Sequence, residues 1–137
     1  MKFIIPIIPV AQMRARVTVR GKHAWAYKTK KQEQREATLL AFLVQERPPA
    51  PLEGPLLLGV RAFLPIPKSM PKFKRALALS GELRPTTKPD LDNLIKHFKD
   101  CAKELLWRDD KQVVGYLEGT GKYYSGQPRW EIEIKEI

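Results

Sequence analysis

The chain has 137 residues, 25 Lys and Arg against 15 Asp and Glu for a formal charge of +10, 43% hydrophobic residues and one cysteine. That length suits one domain, 1–137, burying roughly 65–70% of the surface its unfolded chain exposes, and the hydrophobic content excludes disorder throughout. The charge calls for a polyanionic partner, no run approaches the ~20 apolar residues of a membrane span, and the lone Cys101 excludes an internal disulfide.

Residues 2–9 read as a β-branched strand, and Pro6 and Pro9 assign it to a sheet edge. The same prolines break the apolar run a secretory leader needs, so the chain reads as cytoplasmic. Residues 16–28 mix Arg and Lys with Val17, Val19, Trp25 and Tyr27 around Gly21, as in a basic hairpin. Thr29 and Gln32 form a capping box for a helix whose apolar stripe is Ala37, Leu40, Leu43 and Val44. The prolines at 48–55 close it.

Residues 55–65 carry apolar side chains on both faces and predict a central strand. Ser69 can cap a short basic helix from about 71 to 79, stopped by Gly81. Leu91, Leu94, Ile95, Phe98, Cys101, Ala102 and Leu105 recur at intervals of three and four, which predicts an amphipathic helix with Cys101 as a buried small hydrophobe. Val113 and Val114 lie in a strand beyond it. After a turn at Gly126-Gln127-Pro128, a last strand puts Trp130, Ile132 and Ile134 on one face and Glu131, Glu133 and Lys135 on the other. Strands and helices do not alternate strictly. The fold class is therefore α+β, a mixed or mostly antiparallel sheet packed with a few helices.

Against the basic background stands an acidic island: Lys88-Pro89-Asp90-Leu91-Asp92-Asn93-Leu94-Ile95-Lys96, then Trp107-Arg108-Asp109-Asp110-Lys111-Gln112-Val113-Val114. Taken alone, Asp92 is a helix N-cap and Asp109-Asp110 is turn chemistry. Together they suggest more. Asp90 and Asp92 project to one side if the backbone leading to them is extended, and the proline ahead of Asp90 favours that. Lys96 sits one turn beyond Asp92, either as a surface ion pair or as a cation beside a phosphate. Of the adjacent Asp109 and Asp110, only one can join the first pair. Asp100 reads as part of a charged helix surface with Lys96, Lys99 and Lys103. A calcium loop starting at Asp90 is excluded, because its sixth and twelfth positions would be Ile95 and Cys101 where Gly and Glu are needed. His23 and His97 have no cysteine partners at zinc spacing.

Hard oxygen ligands suit Mg²⁺, which takes one or two carboxylates plus water and substrate phosphate. The basic segments, Arg14 and Arg16 early and Lys68, Lys72, Lys74 and Arg75 before the acids, suit a phosphodiester backbone, and the pI near 9.9 lies in the nucleic-acid range.

The two ordered motifs and the interval between them resemble the RusA family of crossover junction endodeoxyribonucleases, the Holliday junction resolvases. A weaker likeness extends to Pro65-Ile66-Pro67-Lys68-Ser69 and to the N-terminal strand. The resemblance implies an α+β homodimer that nicks opposed strands of four-way DNA junctions symmetrically, using one or two Mg²⁺ per subunit, in recombination and repair within a bacterial or phage-infected cell. It places the catalytic acids on Asp90, Asp92 and Asp110, the active-site lysine on Lys96, and supporting roles on Asn93 and Asp109. One departure stands out: the family often has a Gly or Asn turn ahead of the aspartate pair, and Lys103-Glu104-Leu105-Leu106 has neither. Two rivals remain open: an Mg²⁺-dependent nuclease on another branched DNA, and a DNA-binding module without catalysis.

Overall fold

Leu56–Pro65 forms the central strand of the five-stranded sheet (β4). Leu56, Leu58, Val60 and Ala62 on one of its faces are fully buried, while Arg61 on the other is exposed. The structure, a computed structural model, describes residues 1–11, 16–20, 23–27 and 30–137, with the backbone alone at 16–20, 23–27 and Gln32.

In chain order the elements are β1 (Lys2–Ile5), β2 (Arg16–Arg20), β3 (His23–Tyr27), α1 (Lys30–Glu46), β4, α2 (Lys72–Ser80) and α3 (Leu91–Ala102). They are followed by a 3-10 turn (Asp110–Gln112), β5 (Val113–Tyr116), β6 (Gly121–Ser125) and β7 (Arg129–Glu136). β7 pairs antiparallel with β4 along one side and with the edge strand β1 beyond it. On its other side β4 takes β5 and then β6 end to end, both parallel. The sheet is thus mixed, within the α+β class. β2 and β3 pair antiparallel as a separate two-stranded sheet, which is the expected hairpin; Gly21 lies outside the described residues.

Three expectations need correction. The edge strand stops at Ile5, because Pro6 has no N–H for the ladder. On α1 the core stripe is Leu39 and Leu43 with half-buried Phe42, while Ala37, Leu40 and Val44 are exposed. Two apolar rows run along that helix, and packing alone selects between them. The N-cap of α2 is Pro71 rather than Ser69, with no side-chain cap bond. The C-terminal stop is as expected, since Gly81 takes φ +87°, the left-handed conformation glycine adopts freely. The proposed capping pair of α1 lies outside description, as Thr29 and the Gln32 side chain are not described.

α3 lays Leu94, Ile95, Phe98, Cys101 and Ala102 against the sheet and also buries His97. Phe98 tilts against Trp107 and Trp130 at centroid distances of 6.3 and 5.9 Å. Such pairs add about 0.5–1.5 kcal/mol beyond the area they bury. The long helix carrying the first acidic motif is therefore bolted to the strand-side tryptophans. No described helix is long and apolar enough to cross a membrane.

Candidate active site

The first motif is presented differently from the expectation. α3 begins at Leu91, so Asp90 rather than Asp92 occupies the N-cap position, in extended conformation (φ −68°, ψ 142°) and with no side-chain cap bond. Asp92 lies in the first helical turn, where an anion is favoured by the exposed N–H groups of the helix. The two carboxylates therefore leave the backbone from different local structures and do not share one strand face.

After α3 the chain reverses tightly. Glu104 takes φ +70°, the left-handed region, at the place where the resembling family often carries Gly or Asn. Its N–H bonds the Trp107 carbonyl at 2.6 Å, and the N–H groups of Leu105 and Leu106 return to the Ala102 carbonyl at 3.0 and 2.9 Å. The missing glycine therefore leaves the turn in place at a cost in backbone conformation. Glu104→Gly is expected to stabilise the fold by about 0.5–1 kcal/mol, net of the entropy a glycine adds to the unfolded chain. Chemical denaturation of both proteins would check this.

The reversal buries Trp107 completely and aims its indole N–H at Asp110, which accepts at 2.9 Å. Asp109 caps the 3-10 turn that begins at Asp110. Its carboxylate accepts from the Lys111 N–H at 3.0 Å, and the Gln112 side chain returns to the Asp109 N–H at 2.8 Å. Gln112 also donates to the carbonyls of Leu52 and Gly54, tying the turn to the approach of β4. The Lys111 N–H bond is the main reason the Asp109 carboxyl sits below its ordinary pKa. Slight desolvation opposes this, and the charges of Lys103, 3.9 Å away, and Lys111 reinforce it. A lowered folded pKa makes the contribution of this cap complete above the ordinary carboxylate value, and it is lost only as pH falls through the lowered one.

The two motifs meet in a cleft of about 340 Å³ lined by Asp92, Lys96, Lys99, Asp100 and Asp110, with buried Ile95 and exposed Tyr116. Asp90 does not line it. Asp109 does not either, being turned into its cap. Asp100, expected as plain helix surface, lies inside. The exposed Asn93 is on the same first turn as Asp92. A larger hollow of about 560 Å³ lies elsewhere, against Lys2, Gly59, Arg61, Glu118, Glu131 and Glu133, and none of the expected site residues lines it.

Among the described residues no three Asp, Glu, His or Cys side chains converge closely enough to hold a metal by themselves. Asp92 and Asp110 nevertheless fit the donor chemistry of Mg²⁺, which keeps several waters and takes one or two carboxylates plus substrate phosphate oxygens.

Of the basic residues, Lys68, Lys72 and Lys74 are exposed. Arg75 is committed to structure, donating to the carbonyls of Pro67, Lys68 and Met70 at 3.2, 2.7 and 2.9 Å. Arg14 and the side chain of Arg16 lie outside the described residues. Lys99, expected like Asp100 as plain helix surface, also lines the cleft, and sequence reading passed over Tyr116 and the Trp107 bond to Asp110. The tryptophan ahead of the aspartate pair was the available signal, since a buried indole N–H needs an acceptor.

The family described as Endodeoxyribonuclease RusA matches residues 6–135. The chain is also 37% identical over 138 residues to an uncharacterized protein of Bacillus subtilis (strain 168), YqaN, with 99% of this chain and 96% of that protein covered.

Proposed function

The chain belongs to the RusA endodeoxyribonuclease family, and from that premise we propose that it resolves four-way DNA junctions by paired symmetric nicks, with Mg²⁺ held at Asp92 and Asp110. The observation that carries this reading is the single cleft where two carboxylates from separate motifs face Lys96. Asp90, extended just ahead of α3 with its carboxylate unused by the helix cap, is the expected third acid, although it does not line the cleft.

Bound Mg²⁺ would supply an activated water and neutralise charge on the phosphate oxygens. The chain's own residues do the rest. The Trp107 N–H holds one oxygen of Asp110 in place, and this fixes the carboxylate at the cleft that Asp110 lines. The ammonium of Lys96, one turn from Asp92, offsets negative charge that grows on the phosphate as the bond to water forms and the bond to the leaving sugar oxygen breaks. Lys99 adds a second cation on the same helix face. A junction is two-fold symmetric, so a homodimer bringing one cleft to each of two opposed strands matches it. The 137 residues act as one domain in a cytoplasmic protein of a bacterial or phage-infected cell.

Incubating a labelled four-way junction with Mg²⁺, and separately with a chelator, tests the reading. Nicks that need the metal support it. A stable complex with intact strands under both conditions would favour a DNA-binding module instead.

Duplex arms are gripped through phosphates, so log K should fall with log salt by about 0.9 for each phosphate neutralised. Changing Lys68, Lys72 and Lys74 together to Ala is expected to weaken junction binding and flatten that slope. Arg75 is left out because its guanidinium already serves three carbonyls. A salt titration of both proteins checks this, and an unchanged slope would return the three lysines to solvent.

A further inference from the structure

Between the C-terminal stop of α2 at Gly81 and the start of α3 the chain forms no helix or strand, yet it must deliver the first acidic motif accurately. Two side chains tie this segment to β6, and they do so reciprocally. From the segment, Arg84 donates Nε–H to the Lys122 carbonyl at 2.5 Å. From β6, Lys122 Nζ donates to the carbonyls of Thr87 at 2.8 Å and Pro89 at 2.9 Å. The Arg84 guanidinium also lies 3.7 Å from the centre of the Tyr123 ring, which stacks on Phe63 of β4 at 5.1 Å and donates its hydroxyl to the Gly119 carbonyl at 2.6 Å. Arg84 therefore rests on an aromatic base fixed in the sheet. Gly121 leaves it room, since a Cβ there would come within 2.6 Å of the guanidinium.

We propose that Lys122, held in register by Arg84, is a positioning residue that sets the first turn of α3, and with it the Asp92 carboxylate, relative to Asp110. The inference rests on the metal role of Asp92 proposed above. In a chain of charge +10 a lysine on a strand invites reading as a phosphate contact, but two of the three donors of this ammonium are already spent on backbone carbonyls. One of those carbonyls belongs to Pro89, the residue immediately before the N-cap of α3. Small misplacements at a reacting centre are expensive, and loss of a group supporting metal ligands typically costs about 10–100-fold in metal affinity or activity.

The test is calorimetric titration of Mn²⁺ into the DNA-free protein, paired with junction binding in chelator and with thermal melting. Wild type, Asp92→Asn, Lys122→Ala, Lys122→Arg and Arg84→Lys are compared. Lys122→Ala is expected to weaken Mn²⁺ binding by about tenfold while junction affinity in chelator stays unchanged. Lys122→Arg should recover most of the loss, because a guanidinium can still reach two carbonyls. Arg84→Lys should show a smaller loss of the same kind, and it serves as the readout if Lys122→Ala does not fold. Wild-type Mn²⁺ affinity in Lys122→Ala, alongside a loss in Asp92→Asn, would overturn the inference and leave the site intact. Lost junction affinity with unchanged Mn²⁺ binding would make Lys122 a phosphate contact and also overturn it. Wild-type Mn²⁺ affinity in Asp92→Asn would overturn the site itself, and the inference with it.

Discussion

Asp92→Asn and Asp110→Asn are each expected to lower junction cleavage by about 100-fold or more, with junction binding retained or tightened. Each substitution removes a hard anionic ligand without emptying volume, and it also removes repulsion toward phosphate. A metal acting as Lewis acid contributes several kcal/mol, and each 1.36 kcal/mol is a factor of ten in rate. The neighbours supply the contrast. Asp109→Asn should cost far less, because asparagine caps a helical turn as well as aspartate does and Asp109 does not line the cleft. Asp90→Asn should fall between, as Asp90 sits at the helix mouth but outside the cleft lining. Single-turnover cleavage of one junction by all four variants measures this. A full rate in Asp92→Asn or Asp110→Asn would remove that residue from the site.

Lys96→Ala should lower the single-turnover rate by about 10²–10³-fold, the usual loss when one preorganised group facing developing charge is removed. Junction affinity should fall by much less, because only interactions stronger in the transition state accelerate the chemical step. Lys96→Arg is expected to recover little, since a planar fork does not reproduce a compact ammonium in a small cleft. A loss confined to affinity would make Lys96 a phosphate anchor. No change in either quantity would leave it a surface charge.

The central strand, the last strand and α3 were legible in the sequence because each has one dominant apolar pattern. Trp130, Ile132 and Ile134 alternate without competition, and Leu94, Ile95, Phe98, Cys101 and Ala102 leave no second stripe to choose. α1 was misread for the opposite reason, since its two apolar rows differ only in what the rest of the fold places beside them. The acidic motifs were legible as residues but not as geometry. A two-residue shift in the start of α3 moved Asp92 from the cap into the first turn and left the cap to Asp90. The expectation of Asp110 over Asp109 came from the family resemblance, and what separates the two in the fold is local: Asp109 is taken by the cap, whereas Asp110 accepts the Trp107 N–H and lines the cleft. The tether of Lys122 to Thr87 and Pro89 spans more than thirty residues and leaves no local trace. The absence of glycine before the aspartate pair was visible, but only the backbone reveals that Glu104 adopts the left-handed turn regardless.

The most direct measurement labels each strand of one four-way junction in turn and maps the cuts made by the wild-type protein in Mg²⁺, beside a linear duplex of the same sequence. The account predicts nicks at symmetry-related positions on two opposed strands, absent in chelator, in Asp92→Asn and on the duplex. Metal-independent cutting, or cuts scattered equally over all four strands and the duplex, would contradict it.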